Sequence, residues 1–144
     1  MSRSSLRVLV VDDFEAFRRV VASILQKQPE LQIICEVSDG LEAVQRAEEL
    51  QPDLILLDIG LPNLNGIEAA NRIRQVAPDS PIIFLTQNKD KYTVRAALNS
   101  GARGYVLKTD AGSELLTAVA GVLDGDDFVS SGIKWGDSGE NENT

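Results

Sequence analysis

The stretch that most constrains this chain is DLILLDIGLPNLNG, residues 53–66, an apolar run closed by a carboxylate and followed by a short loop and a helix start. Leu54, Ile55, Leu56 and Leu57 show no alternation. That is the pattern of a strand buried on both faces, as in parallel sheets covered by helices. In open α/β sheets the ligand crevice lies outside the carboxyl ends of the strands, so Asp58, directly after the run, is a candidate for chemistry. Taken alone, Asp58 reads equally well as a turn former whose side chain bonds nearby backbone amides.

The rest of the chain repeats that unit. LRVLVV, residues 6–11, is a strand ending in Asp12 and Asp13, and a helix follows with Phe14, Phe17, Val20, Val21, Ile24 and Leu25 at spacings of three and four until Pro29. LQIICEV, residues 31–37, is the second strand, and Gly40 opens a helix to about Leu50 with Leu41, Val44 and Ala47 on its apolar side. Asn65 caps a third helix carrying Ile67, Ala70, Ile73 and Val76. PIIFLT, residues 81–86, ends in Thr86, and a helix over about 90–99 has a thin stripe of Tyr92, Val94 and Leu98. RGYVL, residues 103–107, is followed by Lys108, and Asp110 caps a last helix whose Leu115, Leu116, Val119, Val122 and Leu123 face inward until Gly125.

Five strand–helix units predict an α/β fold, a flavodoxin-like (βα)5 three-layer sandwich with a parallel five-stranded sheet of order 2-1-3-4-5. One domain is expected over residues 1–125. From Asp126 onward DDFVSSGIKWGDSGENENT, residues 126–144, is rich in Gly, Ser, Asn and acids and reads as a flexible tail or the start of a linker.

Composition narrows the chemistry. A net charge of −8 argues against nucleic acid as a partner of the chain itself. With no histidine and a single cysteine, Cys35, which reads as a small strand hydrophobe, a site for a soft metal lacks ligands and imidazole acid–base catalysis is excluded. Any metal must be a hard cation held by oxygens. The apolar runs are strand-sized and MSRSS lacks the apolar stretch of a secretory signal, so the cytoplasm is expected and no membrane partner is.

Asp12, Asp13, Asp58, Thr86 and Lys108 each stand at the C-terminal end of a strand. Singly, each has an ordinary explanation as a cap, a hydroxyl turn or a solvated charge. Together, the topology gathers them on one rim. Carboxylates 4 Å apart repel by about 4 kcal/mol per pair at an effective dielectric near 20, so positive charge has to sit among them. Lys108 supplies one charge. Mg²⁺ suits the remainder, because it favours one or two carboxylates, several waters and a phosphate as partners. A carboxylate, a lysine, a hydroxyl and Mg²⁺ are equipped to accept a phosphoryl group and form an aspartyl phosphate.

Four segments in this order, VLVVDD at 8–13, Asp58 with Leu61, Pro62, Asn65 and Gly66, IIFLT at 82–86 and GARGYVLK at 101–108, resemble the receiver domain of two-component response regulators, the CheY-like family. The resemblance covers residues 6 to about 124. It implies that Asp58 accepts phosphate from the phosphohistidine of a sensor histidine kinase. It further implies that Asp13, Asp58 and the backbone carbonyl of Gly60 ligate Mg²⁺, with Asp12 acting through a bound water. Lys108 would pair with the phosphoryl oxygens and Thr86 would hydrogen-bond them. Thr86 and Tyr105 form the implied switch: Thr86 moves toward the phosphoryl group, the aromatic ring turns inward, and the face of helix 4, strand 5 and helix 5 changes shape. Such a domain is no enzyme beyond its own phosphorylation and dephosphorylation. GARGYVLK and DGDDFVSSG are similar to receivers that precede a LuxR-type helix-turn-helix. This implies control of transcription through a DNA-binding domain absent from this chain, and leaves a homodimer open.

Three positions depart from the usual receiver pattern. Thr109 stands where many receivers have proline, Gln87 where a small residue is usual, and Gly60, with Asn88, bears on the lifetime of the acyl phosphate. Rival readings are weaker. An aspartate-nucleophile phosphatase needs a second carboxylate two positions after the first, where Gly60 stands. A flavin or dinucleotide fold needs a glycine- or hydroxyl-rich phosphate loop after the first strand, where DDFEAF would repel phosphate. An interaction module that keeps the fold and is never phosphorylated is the remaining alternative.

Overall fold

In the computed structural model of the protein, residues 5–133 are described. The elements run β1 (Leu6–Val11), α1 (Glu15–Leu25), β2 (Leu31–Val37), α2 (Gly40–Leu50), β3 (Leu54–Leu57), α3 (Gly66–Val76), β4 (Ile82–Thr86), α4 (Lys91–Asn99), β5 (Gly104–Leu107), a single 3-10 turn (Lys108–Asp110), α5 (Ala111–Leu123) and β6 (Phe128–Val129). All neighbours in the sheet are parallel and the order is β2-β1-β3-β4-β5-β6. The flavodoxin-like 2-1-3-4-5 arrangement therefore holds, with a short sixth strand added beyond β5.

Two cores explain the unalternating strands. Leu9, Val11, Ile55, Leu57 and Phe84 point to the face covered by α2, α3 and α4, where Ala47, Ala70, Ile73, Val94 and Ala97 are buried. Val8, Val10, Leu54, Leu56, Ile83 and Val106 point to the other face, against Val21 and Leu25 of α1 and Leu115, Ala118 and Val119 of α5. A strand sandwiched in this way has no solvent side on which a polar residue could alternate.

Of the caps read at Asn65 and Asp110, the first holds and the second does not, and Asp39 is a cap not read from the sequence. Asn65 accepts from the amides of Ile67 and Glu68 at the start of α3, and Asp39 accepts from the Glu42 amide at the start of α2. Asp110 precedes α5 but its carboxylate caps no helix amide; it accepts instead from the Ser130 hydroxyl at 2.7 Å. The apolar stripes are also narrower than the periodicity suggested. Phe14, Val20, Leu41 and Tyr92 are exposed, because the sheet covers only the innermost side of each helix.

Residues 126–133, expected to be irregular, include β6, whose Phe128 and Val129 pair with Gly104 and Tyr105. The later residues 134–144, with Trp135, lie outside the described residues. Among the described residues no helix is long and apolar enough to cross a membrane.

Candidate functional site

Sheet register sets the site. Val11 of β1 stands opposite Leu57 of β3, so the next residue of each strand, Asp12 and Asp58, leave the sheet side by side. The Asp58 amide closes this pair by donating to the Val11 carbonyl at 3.0 Å. Thr86 of β4 stands opposite Leu107 of β5, which delivers Lys108 to the same end. Oxygens of the Asp12, Asp13 and Asp58 carboxylates lie within 4.8 Å of one another. Asp12 and Asp58 are buried and Asp13 is exposed at the mouth.

Lys108 is the counter-charge. Its Nζ lies 2.8 Å from Asp12 Oδ2 and 3.1 Å from Asp58 Oδ2, and it rests over the Phe17 ring at 4.6 Å from the centroid. The other oxygen of each acid is held by the loop that follows it, Asp12 Oδ1 by the Phe14 amide at 2.8 Å and Asp58 Oδ1 by the Ile59 amide at 2.7 Å. Burial pushes the Asp12 carboxyl up, against the hydrogen bonds from Lys108 and Phe14. Burial alone would lower the Lys108 ammonium, yet the hydrogen bond to Asp12 and the charge of Asp58 hold it above its ordinary value. Both partners thus shift upward, since desolvation opposes ionisation of the acid while paired carboxylates favour ionisation of the base.

Asp13, Asp58 and Lys108 border an open cleft of about 670 Å³, lined also by Gly60, Thr86, Gln87 and Asn88. Of the residues singled out from the sequence, Asp13, Asp58, Gly60, Thr86 and Lys108 line this cleft, and Asp12 joins them through Lys108 Nζ, whereas Tyr105 is not in the lining. Thr86 is buried, and its Oγ1 accepts a long hydrogen bond, 3.4 Å, from the Asn88 amide. Tyr105 lies one rung inward. The inward-turning ring expected of the switch is already inward here, wholly buried, with its hydroxyl donating to the Asn88 carbonyl at 2.5 Å. Thr86 and Tyr105 thus both meet residue 88. The Lys108–Thr109 bond is trans, so threonine there imposes no unusual backbone.

Two contributors were not read from the sequence. Arg18 donates to the Asp12 carbonyl at 2.6 Å and, through Nε, to Glu36 at 2.9 Å, tying the first loop of the site to β2. Phe17 supplies the aromatic floor under Lys108. Phe17 carried the helical period of α1, in which nothing distinguishes a core residue from one beneath a charge, and Arg18 stood outside that period as one charge among several on the helix. A second cleft of about 500 Å³ opens at the opposite end of the strands beside Arg74 and Arg103. Those guanidinium groups are engaged with the Ser100 carbonyl and with Asp127.

Three carboxylates with oxygens this close, two of them buried, form a hard-oxygen donor set suited to Mg²⁺. They leave room in the cleft for waters and a phosphate.

The model of the response regulator receiver domain matches residues 8–120. The transcriptional regulatory protein LiaR of Bacillus subtilis (strain 168) is 38% identical over 128 residues, 89% of this chain and 61% of that protein. The transcriptional regulatory protein DegU of Brevibacillus brevis is 33% identical over 129 residues, 90% of this chain and 55% of that protein. The chain thus spans little more than half the length of these relatives. Among solved structures, a LuxR-family two-component response regulator from Aurantimonas sp. SI85-9A1 superposes with a TM-score of 0.85 at 31% identity, over 90% of this chain and 93% of that one. The response regulator domain of Thermotoga maritima CheB gives 0.78 at 34% identity, over 83% and 97% of the two chains.

Proposed function

This chain belongs to the response regulator receiver family, and from that premise we propose that it is a phosphoacceptor module in which Asp58 receives a phosphoryl group from the phosphohistidine of a sensor histidine kinase, in the cytoplasm. A carboxylate oxygen of Asp58 attacks phosphorus, the bond from phosphorus to the imidazole nitrogen breaks, and the imidazole leaves. Lys108, kept on Asp12, turns from the Asp58 oxygen to the incoming phosphoryl oxygens, and the Thr86 hydroxyl, which only accepts from the Asn88 amide, donates to one of them. Asp13, Asp58 and the Gly60 carbonyl would hold Mg²⁺, with Asp12 acting through water, and the ion would neutralise charge on the transferring group.

The observation that carries this reading is the convergence of three carboxylates and one lysine from three strand ends beside an open cleft. Placement and charge neutralisation supply most of what phosphoryl transfer requires of a protein. Addition of a charge of about −1.5 to −2 beside Thr86 and the Tyr105–Asn88 contact would then bias the face of α4, β5 and α5. The relatives named above are transcriptional regulators. The output we propose is accordingly control of transcription through a DNA-binding domain beyond this chain.

The test is incubation with Mg²⁺ and acetyl phosphate followed by intact-mass measurement. A gain of one phosphoryl group that disappears with Asp58→Asn or with removal of Mg²⁺ supports the reading. No gain, or the same gain in the variant, would falsify it.

A further inference from the structure

We propose that Ser130, outside the acidic pocket, is a positioning residue for Lys108: through Asp110 it fixes the turn that carries the ammonium, so that the strap of residues 128–133 and the phosphoacceptor pocket respond to each other. This rests on the reading of Asp58 as phosphoacceptor and extends it to a segment to which that reading gives no role.

Lys108 and Asp110 are the two ends of one 3-10 turn, with Thr109 between them. Lys108 reaches into the pocket, whereas the Asp110 carboxylate turns the other way and accepts from Ser130 Oγ at 2.7 Å, the one hydrogen bond that carboxylate makes among the described residues. Ser130 is buried, 2% exposed, and its Oγ also lies 2.6 Å from Glu114 Oε1. A hydroxyl has a single hydrogen. That hydrogen faces both carboxylates, and Glu114 also accepts from the amide and hydroxyl of Ser131, so Ser130 ties the Asp110 turn to α5.

The backbone completes the clamp. The Ser130 amide donates to the Tyr105 carbonyl at 2.8 Å and the Phe128 amide to the Arg103 carbonyl at 3.0 Å, fastening the strap along β5. At Gly132 the fit is closest: a Cβ there would lie 2.8 Å from Leu107 Cδ1 and 2.9 Å from Asp110 Oδ2. Ile133 ends the strap in the main core. The strap therefore grips Tyr105, Leu107 and Asp110, on both sides of Lys108. A pull on the ammonium is felt at Ser130, and by linkage the loss of Ser130 is felt at the pocket.

Two measurements test this. With acetyl phosphate and Mg²⁺, Ser130→Ala is expected to lower the limiting phosphorylation rate about fivefold or more with an unchanged half-saturating acetyl phosphate concentration. Asp110→Ala should do the same, and the double variant should be no slower than either single one. In the unsubstituted protein, Mg²⁺ with beryllium fluoride, a mimic of the acyl phosphate, should change hydrogen exchange at the Ser130 amide. That second reading needs no variant and stands even if Ser130→Ala does not fold. A Ser130→Ala protein phosphorylated at the normal rate, independent multiplicative losses in the double variant, or exchange at Ser130 indifferent to the filled pocket overturns the coupling. Failure of the unsubstituted protein to gain a phosphoryl group is a different result, which overturns the phosphoacceptor reading itself.

Discussion

The ammonium of Lys108 sits 2.8 Å from Asp12 Oδ2, closer than it sits to Asp58. The lysine is thus anchored on an acid that is not the proposed nucleophile. It can follow a phosphoryl group on Asp58 without abandoning its first partner.

Lys108→Ala should leave Asp12 and Asp58 buried beside each other without their cation. The side chains of the pair are only 16% and 4% exposed for Lys108 and Asp12, and removing one partner of such a pair costs about 3 kcal/mol. Chemical denaturation should show that loss in the absence of divalent ions, with much of it restored by millimolar Mg²⁺. Phosphorylation by acetyl phosphate should fall sharply even where Mg²⁺ has restored the fold. A variant as stable as the parent without Mg²⁺ would contradict this.

Tyr105→Phe removes a buried hydroxyl from the Asn88 carbonyl, at a cost of about 1 kcal/mol at neutral pH. The pH profile is more telling. Burial first, then the charges of Asp58 and Asp90, push the Tyr105 phenol from 10.0 up to about 12. The unfolded chain gives up this proton first, so the contribution is whole below about pH 10 and is lost as pH rises toward 12, by about 2–3 kcal/mol. Urea unfolding across that range should show the decline in the parent and a shallower one in Tyr105→Phe.

Gly66 opens α3 directly beneath the site. A Cβ on it would lie 2.0 Å from the Asp58 carbonyl oxygen, which is backbone and cannot swing aside. Gly66→Ala should destabilise the fold by about 3 kcal/mol, the upper end of ordinary overpacking. It should slow phosphorylation as well, by displacing Asp58. A variant stable to within a few tenths of a kcal/mol with unchanged phosphorylation would show that the loop yields freely.

How far the sequence discloses this arrangement depends on whether the signal is local. Strand ends are local: Val11 to Asp12, Leu57 to Asp58, Leu85 to Thr86 and Leu107 to Lys108 are each an abrupt change from apolar to polar, and parallel topology does the rest. The cap by Asn65 is local too. The strap at 128–133 is not. Phe128 and Val129 are two apolar residues among Asp, Ser and Gly, too few for a period, and they become a strand only because β5 offers an open edge. Asp110 carries the sequence signal of a cap, but Ser130, twenty residues on, takes its carboxylate. Phe14 and Val20 kept the helical period yet face solvent, since period alone does not say how wide a face the sheet will cover.

The most direct measurement is the location of the phosphoryl group. Borohydride reduction of the phosphorylated protein cleaves an acyl phosphate and converts the aspartate that carried it into homoserine, which peptide mass mapping then identifies. Homoserine at position 58, with Asp12 and Asp13 intact, is the predicted result. Homoserine at another aspartate, or a phosphoryl group that survives reduction on a serine or threonine, would contradict the assignment of Asp58.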